Sequence, residues 1–256
     1  MGALLEVRDV RLSFGGLQAL DGPSLTVGDS EVVGLIGPNG AGKTSLFNCI
    51  SGLYRPQSGS IRIAGREVTG LPRHRIASLG VGRTFQNLGL LPSQSVLENV
   101  LAGAYHSTRG GWWATALALP RVARTEESVR ATARALLADL GLAEVADRIV
   151  GTLPFGTLKR VELARALMSE PRLLLVDEPA NGLVHSEVQE LGQTLRRLTA
   201  ERGTAILLVE HHMGLVTSVC DRVVVLNFGR LIAEGEPADV ARDPEVVAAY
   251  LGSAAA

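Results

Sequence analysis

Residues 31–50 constrain this chain more than any other stretch. A nearly all-apolar run, Glu31-Val32-Val33-Gly34-Leu35-Ile36, passes directly into Gly37-Pro38-Asn39-Gly40-Ala41-Gly42-Lys43-Thr44, and residues 43–50 then read as helix. The run fits Gly-x-x-x-x-Gly-Lys-Ser/Thr in the strand, loop, helix order that this pattern requires. Glycines let main-chain N–H groups close around phosphate oxygens, and the start of the helix adds a field that favours anions. Lys43 and Lys159 are the two lysines among the 25 basic residues. A chain that otherwise uses arginine keeps a compact ammonium where a rigid guanidinium fork would not substitute. These residues predict an α/β fold that holds the phosphates of a nucleoside triphosphate.

At 256 residues, 46% of them hydrophobic, the chain can bury a large core. The formal net charge of −1, with both signs interspersed, makes no broad basic field, so nucleic acid is not an expected partner. Cys49 and Cys220 each sit in apolar context, far apart, and read as two reduced core thiols. The opening residues lack the basic and apolar regions of a secretion signal, and no apolar stretch nears the ~18 residues that span a bilayer. A soluble cytoplasmic protein is the expectation.

Residues 4–14 have a strand-like pattern ended by Gly15-Gly16, and residues 60–64 alternate as a short strand. The middle third changes character. Residues 95–105 look helical, and along 125–140 Val129, Ala133, Leu136, Leu137 and Leu140 share one helical face. Gly110-Gly111-Trp112-Trp113 lies between these helices. The α/β pattern then returns, with apolar strands at 172–176 and 204–209, a helix over 186–199, a hairpin formed by 223–226 and 231–233, and a last helix over 244–251. The division expected is a catalytic α/β core made of 1–88 and 157–256, with an inserted helical subdomain at 89–156.

The run Leu173-Leu174-Leu175-Val176-Asp177-Glu178 buries itself and delivers two carboxylates at its end. Asp177 would hold Mg²⁺ together with Thr44, and Glu178 would act as general base on the attacking water. Lys43 would reach the β- and γ-phosphates. Gln86 can bond Mg²⁺ or water and so register the γ-phosphate. His211, just past a strand's C-terminal end, can donate a hydrogen bond to the same phosphate. His212 is expected to be a bystander, because adjacent side chains diverge. Phe14 suits either stacking on adenine or an ordinary place in the core.

Taken in order, the aromatic, the phosphate loop, Gln86, the Asp-Glu strand and the histidine resemble the ABC transporter ATPase family over almost the whole chain. The resemblance implies a P-loop (RecA-like) ATPase core with N-terminal antiparallel strands and an inserted helical subdomain. It implies that ATP and Mg²⁺ are bound, and that residues 153–157 form the signature segment. The usual Leu-Ser-Gly-Gly-Gln reads here as Leu153-Pro154-Phe155-Gly156-Thr157. Pro154 brings neither hydroxyl nor N–H, and Phe155 replaces a glycine, so a weaker signature contact is expected. Where the family usually has Ser-Ala-Leu-Asp, this chain has Asn181-Gly182-Leu183-Val184, which removes the aspartate's bonds across the subunit interface.

The finer resemblance is to ATPase subunits of branched-chain amino acid importers. Its pointers are Gly82-Arg83-Thr84-Phe85-Gln86-Asn87, the aromatic signature, Glu210-His211-His212-Met213 and the tail Ala249-Tyr250-Leu251-Gly252. It implies two ATPase chains, identical or different, sandwiching two ATPs head to tail at the cytoplasmic face of the membrane. Transmembrane permease subunits would dock on them, and a solute-binding protein would deliver the solute. Trp112 and Trp113 would then cover part of the permease-facing surface or pin the insert's own loop. Two rivals stay open: an ABC ATPase of a lipid-export or soluble complex, and a nucleotide-binding regulatory subunit that closes on ATP but hydrolyses it weakly.

Overall fold

A computed structural model describes residues 2–84, 88–106 and 120–253, which form two compact units, Met1–Arg83 with Arg172–Ala256 and Thr84–Pro171. Gln86, Trp112 and Trp113 lie outside the described residues. The first unit opens with strands β1 (Leu5–Phe14), β2 (Leu17–Asp21) and β3 (Leu25–Val27). Strand β4 (Val32–Ile36) leads through the glycine-rich loop to helix α1 (Lys43–Ile50). Strands β5 (Ser58–Ile63) and β6 (Arg66–Glu67), helix α2 (Arg73–Ala77) and strand β7 (Val81–Arg83) follow. Along β1 the inward positions are Leu5 and Val7, then Val10 and Leu12. The alternation slips by one where pairing with β5 shifts register between Arg8 and Arg11, at Asp9 with φ 49°. A bulge of this kind re-phases a strand without ending it.

The second unit, Thr84–Pro171, is helical. Helix α3 (Val96–Leu101) starts with a reciprocal cap: Glu98 N–H donates to Ser95 Oγ (3.2 Å) and Ser95 N–H donates to Glu98 Oε2 (2.7 Å). Asn99, fully buried, anchors the preceding loop by accepting from Leu91 N–H (2.7 Å) and donating to the carbonyls of Leu91 and Ser95. Helix α4 (Pro120–Asp139) buries Ala133, Leu136 and Leu137, and Leu140 just beyond it is buried too, as the periodicity predicts. Helix α5 (Phe155–Leu167) packs against α3 and so belongs to this unit. The unit is therefore wider than the expected 89–156 at both ends. The signature segment and the whole helix after it lie within the unit and not at its border.

The first unit resumes with β8 (Leu173–Asp177), α6 (His185–Arg202), β9 (Ala205–Val209), α7 (Met213–Val219), β10 (Arg222–Asn227), β11 (Arg230–Gly235), α8 (Pro237–Val240) and α9 (Pro244–Ser253). One sheet has the order β11-β10-β4-β9-β8-β7, parallel except for the β10–β11 hairpin. The other is antiparallel, β2-β1-β5-β6 with β3 on β1. Strands β4, β8 and β9 are buried at every position, which is why their sequences show no alternation. Leu46, Phe47 and Ile50 of α1 share one core with Leu5, Ile61 and Ile63 of the antiparallel sheet and Leu35, Leu175 and Leu207 of the parallel one. An eight-residue helix is too short to persist by itself. Burial of each such side chain is worth about 1.5–3 kcal/mol, so α1 is held in place by the core it helps to fill. Both cysteines are buried and free, and burial pushes each thiol up to about 12, as inert core groups.

Candidate nucleotide site

Parallel pairing brings three strand ends to one edge: Leu35 of β4 lies opposite Val209 of β9, and Asp177 of β8 lies opposite the same Val209. The phosphate loop follows β4, Asp177 ends β8 with Glu178 next, and Glu210 and His211 follow β9. Gly37 has φ 144°, and a Cβ there would stand 2.1 Å from the carbonyl oxygen of Leu226, so only glycine fits between the loop and β10. The loop is further fixed by Gly229 N–H, from the β10–β11 turn, which donates to the Ala41 carbonyl at 2.9 Å. At its end Gly42 offers no side chain to cap α1, which leaves the helix N-terminus open to an anion.

Lys43 is 8% exposed, and its Nζ donates to the carbonyls of Gly37 (2.6 Å) and Pro38 (2.9 Å), so the ammonium sits inside the curl of its own loop. Burial lowers its pKa, while the nearby charges of Glu178 and Asp177 act to raise it. Asn39, Gly40 and Thr44 face solvent. Asp177 is 2% exposed and lies 3.5 Å from Arg83 Nη2. Glu178, half-buried, has φ 45°, left-handed backbone that a glutamate rarely takes, and its N–H donates to Val209 O at 2.9 Å. His211 is exposed, and its N–H donates to Glu210 Oε2 (2.8 Å). His212 has a structural task, accepting from Leu215 N–H through Nδ1 (3.2 Å) to cap α7.

Arg83, which the sequence marks only as part of the run Gly82–Asn87, has a role of its own. Its guanidinium donates to Asn48 Oδ1 (2.9 Å) and Ser51 Oγ, lies 4.7 Å from the centre of the Phe47 ring, and meets Asp177. It thus ties the end of β8 to the helix that carries Lys43. Burial lowers the Arg83 pKa, with Asp177 opposing that shift. The only signal available beforehand was a charged residue inside a short apolar strand. Replacing Arg83 by Met would leave the Asp177 carboxylate buried beside an apolar side chain. That should cost about 3–5 kcal/mol of unfolding free energy, read from urea denaturation at neutral pH.

Phe14 is 45% exposed and meets Tyr54 edge-on, with ring centres 5.2 Å apart, so it is a surface aromatic and not a core one. In the second unit Leu153 is buried, Pro154 stands at the N-cap of α5, and Phe155 is exposed with Lys159 Nζ 5.6 Å from its ring centre. Gly156 is buried, and Thr157 lies in the first turn. For a cation, the Thr44 hydroxyl and the Asp177 carboxylate are hard oxygen donors too few to complete an octahedron. That set fits Mg²⁺ finished by phosphate oxygens and water.

A family model described as ABC transporter matches residues 20–181, which include the phosphate loop, the signature segment and the Asp-Glu pair. The chain belongs to the ABC transporter family. This ABC ATPase also matches, over residues 230–256, a model described as branched-chain amino acid ATP-binding cassette transporter. It is 42% identical to the high-affinity branched-chain amino acid transport ATP-binding protein BraF of Pseudomonas aeruginosa, over 98% of each chain. It is 39% identical to the LivG protein of the same description from Escherichia coli, again over 98% of each. Among solved structures, the ADP conformation of an ATP-binding cassette from an ABC transporter superposes with a TM-score of 0.86 at 31% identity, covering 98% of this chain and 100% of the other. The ABC ATPase is thus an ATP-binding subunit whose hydrolysis is coupled to transport. None of the helices among the described residues is long and apolar enough to cross a membrane.

Proposed function

We propose that this chain is the ATP-hydrolysing subunit of an importer for branched-chain or related amino acids. The observation that carries the reading is the match of both family segments, the second specific to branched-chain amino acid cassettes, on a chain colinear with BraF and LivG. Main-chain N–H groups of residues 37–44, Pro38 excepted, bind the triphosphate, Lys43 turns its ammonium from the loop carbonyls to the β- and γ-phosphates, and Phe14 stacks on adenine. Thr44, Asp177 and Gln86 would hold Mg²⁺, which would supply charge neutralisation there. Glu178 accepts the proton of the attacking water on its carboxylate, and His211 donates to the γ-phosphate. Residues 153–157 meet the ATP held by a second ATPase subunit, in a homo- or heterodimer docked on permease subunits at the cytoplasmic face of the membrane. A solute-binding protein acts upstream.

A second reading, a subunit that binds ATP but turns it over weakly, is favoured by Pro154, Phe155 and Val184, the last two 45% and 62% exposed where the family places polar contacts. Steady-state ATP turnover by the wild-type chain tests the second reading, and one preparation tests the importer reading. The Glu178→Gln chain, expressed in its native host and extracted in mild detergent with ATP and Mg²⁺, should retain multi-span permeases and a second ATPase. Recovery of soluble partners alone would sink the importer reading.

A further inference from the structure

Glu210 is fully buried, yet it is a carboxylate standing immediately after an all-apolar strand. Its two oxygens are both committed. Oε1 accepts from Ala180 N–H at 2.8 Å, and Oε2 accepts from His211 N–H at 2.8 Å and His212 N–H at 2.9 Å. Three main-chain donors converging on both oxygens suit an acceptor-only group, and they offset the cost of burying its charge. The placement of these donors is informative. The β8–β9 ladder runs from Leu173 opposite Ala205 to Asp177 opposite Val209, and its last main-chain bond is Glu178 N–H to Val209 O. Beyond that point the ladder ends, and the Glu210 side chain makes the next connection.

One arm of this bridge holds the residue two positions after Glu178, whose left-handed backbone (φ 45°) persists only where its surroundings impose it. The other arm holds the main chain of His211 and of His212, which in turn caps α7. Beyond the last main-chain bond of the ladder, the segment bearing the base and the segment bearing the phosphate donor are therefore linked through one fully buried side chain.

We propose that Glu210 is a positioning residue that fixes Glu178 and His211 relative to one another. This rests on the roles given to those two residues above. The carboxylate of Glu210 holds the main chain on both sides at once, Ala180 on one and His211 and His212 on the other, and so sets the geometry of the two segments. A glutamine in its place keeps size and shape, but its amide nitrogen cannot accept, so one arm must open.

The test uses the full-length chain carrying Glu210→Gln, with two readouts. In hydrogen exchange, peptides that contain Ala180 or His211 and His212 should exchange about tenfold faster or more, with the phosphate-loop peptide and the rest of β8 and β9 unchanged. In steady-state hydrolysis with Mg²⁺ and ATP, kcat should fall about 10- to 100-fold, while KM for ATP moves by less than about threefold, since groups that bind the ground state are untouched. Glu210→Asp keeps the charge but is one methylene shorter. It should recover part of both effects, and it stands in if the glutamine variant does not fold. Unchanged exchange at both segments overturns the proposal, and so does a loss of kcat matched by an equal rise in KM, which would mean the phosphate loop had moved. The underlying roles fail separately, because Glu178→Gln would then retain turnover.

Discussion

Glu178→Gln should lower ATP turnover by about a thousandfold, with ATP affinity changed by less than about threefold. The substitution keeps the side chain's volume and its ability to accept one hydrogen bond but removes the group that takes the water's proton. Little else should change. Glu178 is half-buried, and the main-chain contacts that hold its unusual backbone, its own N–H to Val209 O (2.9 Å) and Ala180 N–H to Glu210 Oε1 (2.8 Å), do not involve its side chain. Single-turnover hydrolysis beside equilibrium binding of a fluorescent ATP analogue separates the two quantities. Equal hydrolysis by both proteins would remove Glu178 from the chemistry and return attention to Asp177.

Lys43→Ala should act on the other axis, weakening ATP binding about a hundredfold, on the order of 3 kcal/mol for a lost charge-assisted contact to phosphate. Folding should survive. In the structure Lys43 donates to the carbonyls of Gly37 and Pro38, and losing these two bonds costs roughly 1 kcal/mol each at most if water replaces the ammonium. Most of the loop's shape comes from main-chain contacts that the substitution leaves alone. Titration calorimetry with ATP, paired with a thermal melt in its absence, checks both statements. A melt that collapses along with binding would mean that Lys43 builds the loop and does not merely occupy it.

These residues were readable before any coordinates because their neighbours in sequence are also their partners. The run from Val32 to Ile50 is strand, loop and helix in one continuous piece, and the apolar run that ends in Asp177 and Glu178 announces its own burial. The antiparallel strands β2 and β3 were not readable. Leu17-Gln18-Ala19-Leu20-Asp21 and Leu25-Thr26-Val27 are too short for alternation to register, and their place on β1 depends on pairing partners. Helix α7 was missed because its cap is a histidine side chain and four of its seven residues are Val, Thr or Ser, which favour other structure. The border after residue 156 was misjudged for a related reason. Helix α5 buries Val161, Glu162, Leu163 and Ala164 in succession, so no single apolar face marks where it packs. Arg83 and Glu210 show the same limit in the site, since Arg83 meets Asn48 and Asp177, and Glu210 meets Ala180, across stretches of sequence that no local pattern connects.

The turn that joins β10 to β11 bears on how this chain can vary. Gly229 donates to the Ala41 carbonyl and accepts from Asp21 N–H, both at 2.9 Å, and a Cβ on it would stand 2.7 Å from the Ala19 carbonyl. Its neighbour Phe228 is 81% exposed. Two adjacent positions therefore have opposite tolerance. Almost any side chain that accepts left-handed backbone can stand at 228, whereas a side chain at 229 collides with Ala19 and Leu20 and, by shifting the turn, pulls the Gly229 N–H away from the Ala41 carbonyl, more than 180 positions earlier in the sequence. In a library of random variants screened for ATP binding, position 229 should be nearly invariant beside a permissive 228.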